Sequence, residues 1–145
     1  MHDDILAAAI VRRRDSVLLV HNHWPAGEAW NLPGGRREPG EPLTGTLARE
    51  LQEETGLELT GSQLAYVFDV HDPPRDFHLL WHVFACEASG EAHAPPGDEF
   101  VRAVAWVPVD RLAEYLWPSY CQPLLEYLQG RSQGYYVNLQ ASWGM

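Results

Sequence analysis

The stretch from Gly35 to Leu57, GRREPGEPLTGTLARELQEETGL, constrains the rest of the chain most. Glu50, Glu53 and Glu54 stand at i, i+3 and i+4, spacings that share one face of an α-helix. Three like charges on one face repel and weaken a helix, so the pattern calls for a compensating charge. A divalent cation is the most economical one. Hard oxygen donors with no histidine or cysteine beside them favour Mg2+ or Mn2+ over zinc. At roughly 100° per residue, Leu43, Leu47 and Leu51 form an apolar stripe, with Glu50 beside it and Glu54 between its leading members. Two carboxylates therefore face the edge of a core, where a charge is costly unless paired or bound to metal.

The ends of this helix are also written in the sequence. Glu41-Pro42 suits a start, with proline near the first helical position and an acid at the positive end of the dipole. The helix is expected to run to about Thr55, with Gly56 in the left-handed position beyond it and Leu57 turning back to pack. The carboxylates would then ride on a rigid element held at both ends, as a metal site requires.

Nine positions in this stretch carry a further signal: Gly35, Glu41, Arg49, Glu50, Leu51, Glu53, Glu54, Gly56 and Leu57. They resemble the Nudix box, G-x5-E-x7-R-E-U-x-E-E-x-G-U with U aliphatic, at every fixed position. The flanks are similar to the same family: Trp30-Asn31-Leu32-Pro33-Gly34-Gly35 to its lead-in, and Ala105-Trp106-Val107-Pro108-Val109 to its late strand. The resemblance to these MutT-like hydrolases implies an α/β fold, a mixed β-sheet sandwiched between helices (α/β/α). It also implies hydrolysis of a nucleoside diphosphate linked to some group X. Glu50 and Glu54 would be the principal metal ligands, with the carbonyl of Gly34 beside them. Glu53 would be a further ligand or the base that activates water. Arg49 would hold a box glutamate in place, and Glu41 would order the loop. Some relatives take the base from a later loop, which makes Asp98 or Glu99 the candidate for that role.

Composition limits the partners. A chain of 145 residues with 46% hydrophobic content suits a single Nudix domain spanning residues 1–145. The formal net charge of −10 disfavours nucleic acid and anionic membranes, but bound cations still allow a phosphorylated small molecule. All ten basic residues are arginines, which excludes lysine-dependent phosphate loops and Schiff-base chemistry. Cys86 and Cys121 lie far apart and read as unpaired thiols. The acidic opening MHDDILAAAIV lacks the basic region of a signal peptide, and no apolar run approaches the ~18 residues of a membrane span. A cytoplasmic protein, monomer or homodimer, is expected.

Along the chain, Ile5–Arg13 and Ser16–Val20 read as a hairpin, and His21 to Gly27 as a loop with two histidines. Leu64–Val70 and Phe77–Glu87 read as strands around the loop 71–76, with His78 and His82 on one face. Val101–Pro108 reads as a strand, Asp110–Leu116 and Pro118–Gly130 as helices, and the tail 131–145 as flexible or docking. Arg36 and Arg37 are candidates for phosphate, and Trp30, Phe77 and Trp24 for stacking on a nucleobase.

The substrate is open among three classes. Pro73 comes sixteen residues after Leu57, a spacing that accompanies ADP-ribose hydrolysis in some relatives. The short single-domain form looks as much like enzymes that cleave (d)NTPs to monophosphate and pyrophosphate. Dinucleoside polyphosphates rank third. A catalytically silent nucleotide-binding or regulatory module is the alternative outside catalysis, but such modules usually show a broken box.

Overall fold

The computed structural model describes residues 2–24, 27–97 and 100–138. Its strands are β1 (His2–Arg13), β2 (Ser16–Trp24), β3 (Gly27–Asn31), β4 (Gly34–Arg36), β5 (Glu58–Asp72), β6 (Phe77–Ser89), β7 (Val101–Pro108) and β8 (Tyr135–Asn138). Its helices are α1 (Leu43–Thr55), the single turn α2 (Leu112–Tyr115) and α3 (Pro118–Leu128). The strands run in the order β3-β2-β1-β6-β5-β8, with β4 on β1 and β7 on β2. The sheet is mixed: β1–β6 and β5–β8 are parallel, and the other pairings antiparallel.

The runs LAAAIV and SVLLV are nearly all apolar because both faces of the central strands are covered. Alternation divides their side chains between two cores. Ala7, Ala9, Val11, Leu18 and Phe84 pack with Leu47, Leu51 and Leu57 on the α1 side. Ala8, Ile10, Val17, Leu19 and Val83 pack with Leu112, Leu116, Cys121 and Leu124 of the α2–α3 layer. This is the expected α/β/α sandwich, with α1 the one helix on its face among the described residues. Leu47 and Leu51 are each 1% exposed, as the helical projection requires.

Two expectations change. Of the stretch 21–27 read as a loop, residues 21–24 are strand: β2 continues to Trp24, and His21, Asn22 and His23 pair with Trp30, Ala29 and Glu28 of β3. The strand runs on because β2 has partners on both edges; residues 25 and 26 lie outside the described residues. The strand read from Leu64 starts at Glu58, since its first half pairs with β6 through two bulges. The described part of the tail takes the second of its two expected states and docks: β8 lies parallel to β5, and Tyr136 donates a hydrogen bond to Glu126 of α3 at 2.7 Å.

Beyond the reach of α1, one polar group fastens the sheet. His78 of β6 lies between Asp69 of β5 and Asp3 of β1, and Tyr135 of β8 donates to the other oxygen of Asp69.

Candidate active site

Pro42 precedes α1, and Thr46 donates its amide to the Pro42 carbonyl at 3.0 Å. At the other end Gly56 adopts φ 77° and returns its amide to Gln52, the left-handed closure that glycine makes without strain. The glutamate face between these ends is graded in burial. Glu50 is 16% exposed and Glu53 56%, and Glu54 is half-buried. The two carboxylates that the projection aimed at the core edge are there, and the third meets solvent.

Arg49 organises the cluster. Its Nε and Nη2 donate to the two oxygens of Glu41 at 2.8 and 3.0 Å. Nη1 donates to Glu50 at 2.8 Å and Glu53 at 3.4 Å, and Nη2 to the Arg36 carbonyl at 3.1 Å. Glu41 also accepts the Thr46 hydroxyl at 2.7 Å and the Glu38 amide at 3.1 Å. With the Arg49 bonds first, these contacts hold its carboxyl down at about 2. Glu50 moves the opposite way: burial raises its carboxyl above the ordinary range, and Arg49 only partly offsets that.

The strand β4 brings backbone to these carboxylates. Gly34 donates its amide to Glu54 at 2.7 Å. A Cβ on Gly35 would stand 2.6 Å from a Glu50 oxygen, and one on Gly34 2.3 Å from the Ala7 carbonyl. Only glycine lets the strand pass between β1 and the helix this closely.

The remaining candidates fall in several places. Arg36 forms an ion pair with Asp4 at 3.1 Å, and its side chain is 70% exposed. Trp30 lies in β3, stacked on His21 at 4.8 Å with Tyr115 edge-on at 5.5 Å. Phe77 begins β6, half-buried beside the α2–α3 core and opposite Asp72. Asp98, Glu99 and the indole of Trp24 lie outside the described residues. Two participants escaped the sequence reading. Thr46 had a local signal, four residues into the helix from Pro42. Tyr120 accepts the Leu32 amide at 3.0 Å from 88 residues away, and no local pattern announces that.

Among the described residues, no three acidic, histidine or cysteine side chains converge as a ready-made metal cage. The donor set, carboxylate oxygens with a backbone carbonyl beside them, still fits a hard divalent cation. The raised Glu50, crowded by Glu53 and Glu41, is a carboxylate that a cation would relieve. Mg2+ takes few protein carboxylates and completes its shell with water and substrate phosphate, so it needs no closed cage.

A carboxylate helix clasped to a glycine strand in an α/β/α sandwich fits what the resemblance to Nudix hydrolases implies. Residues 2–127 match the NUDIX domain model. The chain is 34% identical over 127 residues to a MutT-like protein of Streptomyces ambofaciens, covering 87% of this chain and 77% of that one. It is 30% identical over 124 residues to the CTP pyrophosphohydrolase of Escherichia coli (strain K12), covering 83% and 87%. Among solved structures it is similar to a MutT NUDIX hydrolase from Burkholderia pseudomallei, at TM-score 0.69 and 27% identity over 76% of this chain and 86% of that one. The chain belongs to the Nudix family and is a Nudix pyrophosphohydrolase. Enzymes of this family generally use divalent metal ions. No helix among the described residues is long and apolar enough to cross a membrane.

Proposed function

We propose that the chain is a cytoplasmic, Mg2+-dependent hydrolase of nucleoside diphosphate derivatives, acting first on nucleoside triphosphates. The observation that carries this is the clasp of Arg49 on Glu41, Glu50 and Glu53, with Glu54 fixed to Gly34. A silent binding module has no use for three acids so placed.

Glu50 and Glu54, with the Gly34 carbonyl, would hold the cation, and Mn2+ would substitute for Mg2+. The cation would neutralise phosphate charge and lower the pKa of the attacking water. Glu53, the exposed acid of the three, would accept that water's proton. Glu99 is a second candidate base. Arg49 holds the carboxylates apart and oriented, so little reorganisation is left for the reaction itself. Attack at phosphorus breaks one phosphoanhydride P–O bond, and a triphosphate yields a monophosphate and pyrophosphate. Arg36 would exchange its ion pair with Asp4 for phosphate, and Trp30 and Phe77 would border the nucleoside.

Triphosphates come first because the relative named as a CTP pyrophosphohydrolase aligns over most of both chains. A relative named as a putative ADP-ribose pyrophosphatase aligns over only 49% of its own length. ADP-ribose and nucleotide sugars are the second class, on the spacing of Pro73, which opens a 3-10 turn between β5 and β6.

The test is product release from (d)NTPs, ADP-ribose, nucleotide sugars and diadenosine polyphosphates, with Mg2+ and with chelator. Glu53→Gln runs alongside. We expect triphosphates to turn over, chelation to stop the reaction and the variant to lose roughly 10²–10⁴-fold in kcat. Because Glu53 is exposed, its Tm should hold. No turnover with Mg2+ or Mn2+, together with nucleotide-induced stabilisation, would make the chain a binding module.

A further inference from the structure

Tyr120 stands in the first turns of α3, on the face of the sheet opposite α1. Its backbone is tied to Trp117 at 3.0 Å, and its ring packs edge-on against Phe68 of β5 at 6.2 Å. From this fixed position its hydroxyl accepts the amide of Leu32 at 3.0 Å. Leu32 is 3% exposed, so without the phenol that amide would be buried with no acceptor, a costly state.

The two residues after Leu32 make the contact consequential. Pro33 has no amide hydrogen and a fixed φ, so it links its neighbours stiffly. Its carbonyl accepts the Ala9 amide at 2.8 Å. Next comes Gly34, whose amide is held by Glu54 at 2.7 Å. The two amides that flank Pro33 are thus both taken by side-chain oxygens, one from α3 and one from the glutamate face of α1. The strand has little slack either, since a mere Cβ at Gly34 would meet the Ala7 carbonyl and one at Gly35 the Glu50 carboxylate. Burial keeps the phenol protonated, so it accepts as a neutral group.

We propose that Tyr120 is a positioning residue: through Leu32 and Pro33 it sets the position of the Gly34 backbone and of Glu54, and so tunes the cation affinity of a site built on the opposite face of the sheet. The proposal rests on the reading of the chain as a metal-dependent hydrolase.

Tyr120→Phe removes the acceptor and keeps the ring. Tyr136→Phe is the control, a hydroxyl lost from the same layer where it serves Glu126. Two readouts on the full chain separate positioning from general stability: amide exchange at Leu32 and Gly34 without metal, and the Mn2+ dissociation constant from electron paramagnetic resonance. For Tyr120→Phe we expect exchange at both amides to quicken, and Mn2+ binding to weaken by about tenfold, the scale of one hydrogen bond. Tyr136→Phe should leave both as in wild type, even where its Tm falls. If wild type binds Mn2+ and Tyr120→Phe matches it in affinity and exchange, the positioning role is overturned and the hydrolase reading stands. If wild type takes up no Mn2+, the hydrolase reading fails and the proposal with it. Should Tyr120→Phe not fold, wild type decides: slow exchange at Leu32 with an NOE from its amide to the Tyr120 ring supports the role, and fast exchange overturns it.

Discussion

At Arg49 one guanidinium is shared by four carboxylates of unequal burial: it hydrogen-bonds Glu41, Glu50 and Glu53 and forms an ion pair with Glu38 at 3.7 Å. The paired bonds to Glu41 fix its plane, and the remaining donor steadies Glu50 and reaches Glu53. Planar, two-pronged binding is what a lysine could not supply. Arg49→Met keeps the aliphatic volume and removes the charge. Glu50, already raised by burial, then loses its partner. We expect a loss of about 2 kcal/mol, the scale of hydrogen bonds to charged groups, read as a lower urea midpoint with unchanged m-value. Activity should fall as well, as the glutamates lose their common anchor. At this scale the sequence was informative wherever helical geometry alone sets direction. The burial of Glu50 and Glu54 and the exposure of Glu53 arise from 3.6-residue periodicity and the leucine stripe. The clasp of Arg49 on Glu41 crosses the helix start and was legible only through the family resemblance.

Elements add what single residues do not. The helix α1 gains little from intrinsic propensity, with three acids on one face. It is held by Leu47 and Leu51 against the sheet, by the Gly56 turn, and by the loop amide of His93, which donates to the Thr55 carbonyl at 2.9 Å. On the same side of the sheet, His78 ties β1, β5 and β6 through Asp3 and Asp69, with His71 beside it and Tyr135 on Asp69. The hydrogen bond to Asp69, then the one to Asp3, raise the His78 imidazole above its ordinary 6.5. A group raised in the folded state stabilises fully below its unfolded value and loses that contribution as pH climbs through the folded one. Tm should therefore fall as pH rises from about 6.5 through the raised folded value. His78→Asn should flatten that part of the profile, and calorimetry across neutral pH checks it. The strand pattern showed His78 and His82 on one face. Pairing with Asp3 and Asp69 needed the register of three strands, which no local pattern carries.

For the whole molecule, the sheet is one slab with a helical layer on each face. Leu51 (1% exposed) and Leu124 (0%) are buried in the two separate cores. Leu51→Ala and Leu124→Ala should each cost about 2–5 kcal/mol. Because the cores share no side chain, the double variant should lose close to the sum. Denaturant unfolding of the three variants tests this, and a strongly non-additive sum would mean the slab transmits strain. Both layers bear on the site, α1 directly and α3 through Tyr120 and Leu32.

The sequence by itself determined the acidic helix and its two ends, the glycine lead-in and the covered central strands. Each rests on interactions within a few residues, where 3.6- and 2-residue periods and backbone freedom decide the outcome. Tertiary structure alone decided that β2 runs on through His21, that β8 closes onto β5, and that α3 reaches Leu32, between β3 and β4, from the far face. Those outcomes depend on contacts between residues tens of positions apart. Their geometry exists only once the sheet has assembled and fixed which backbone groups remain to be satisfied.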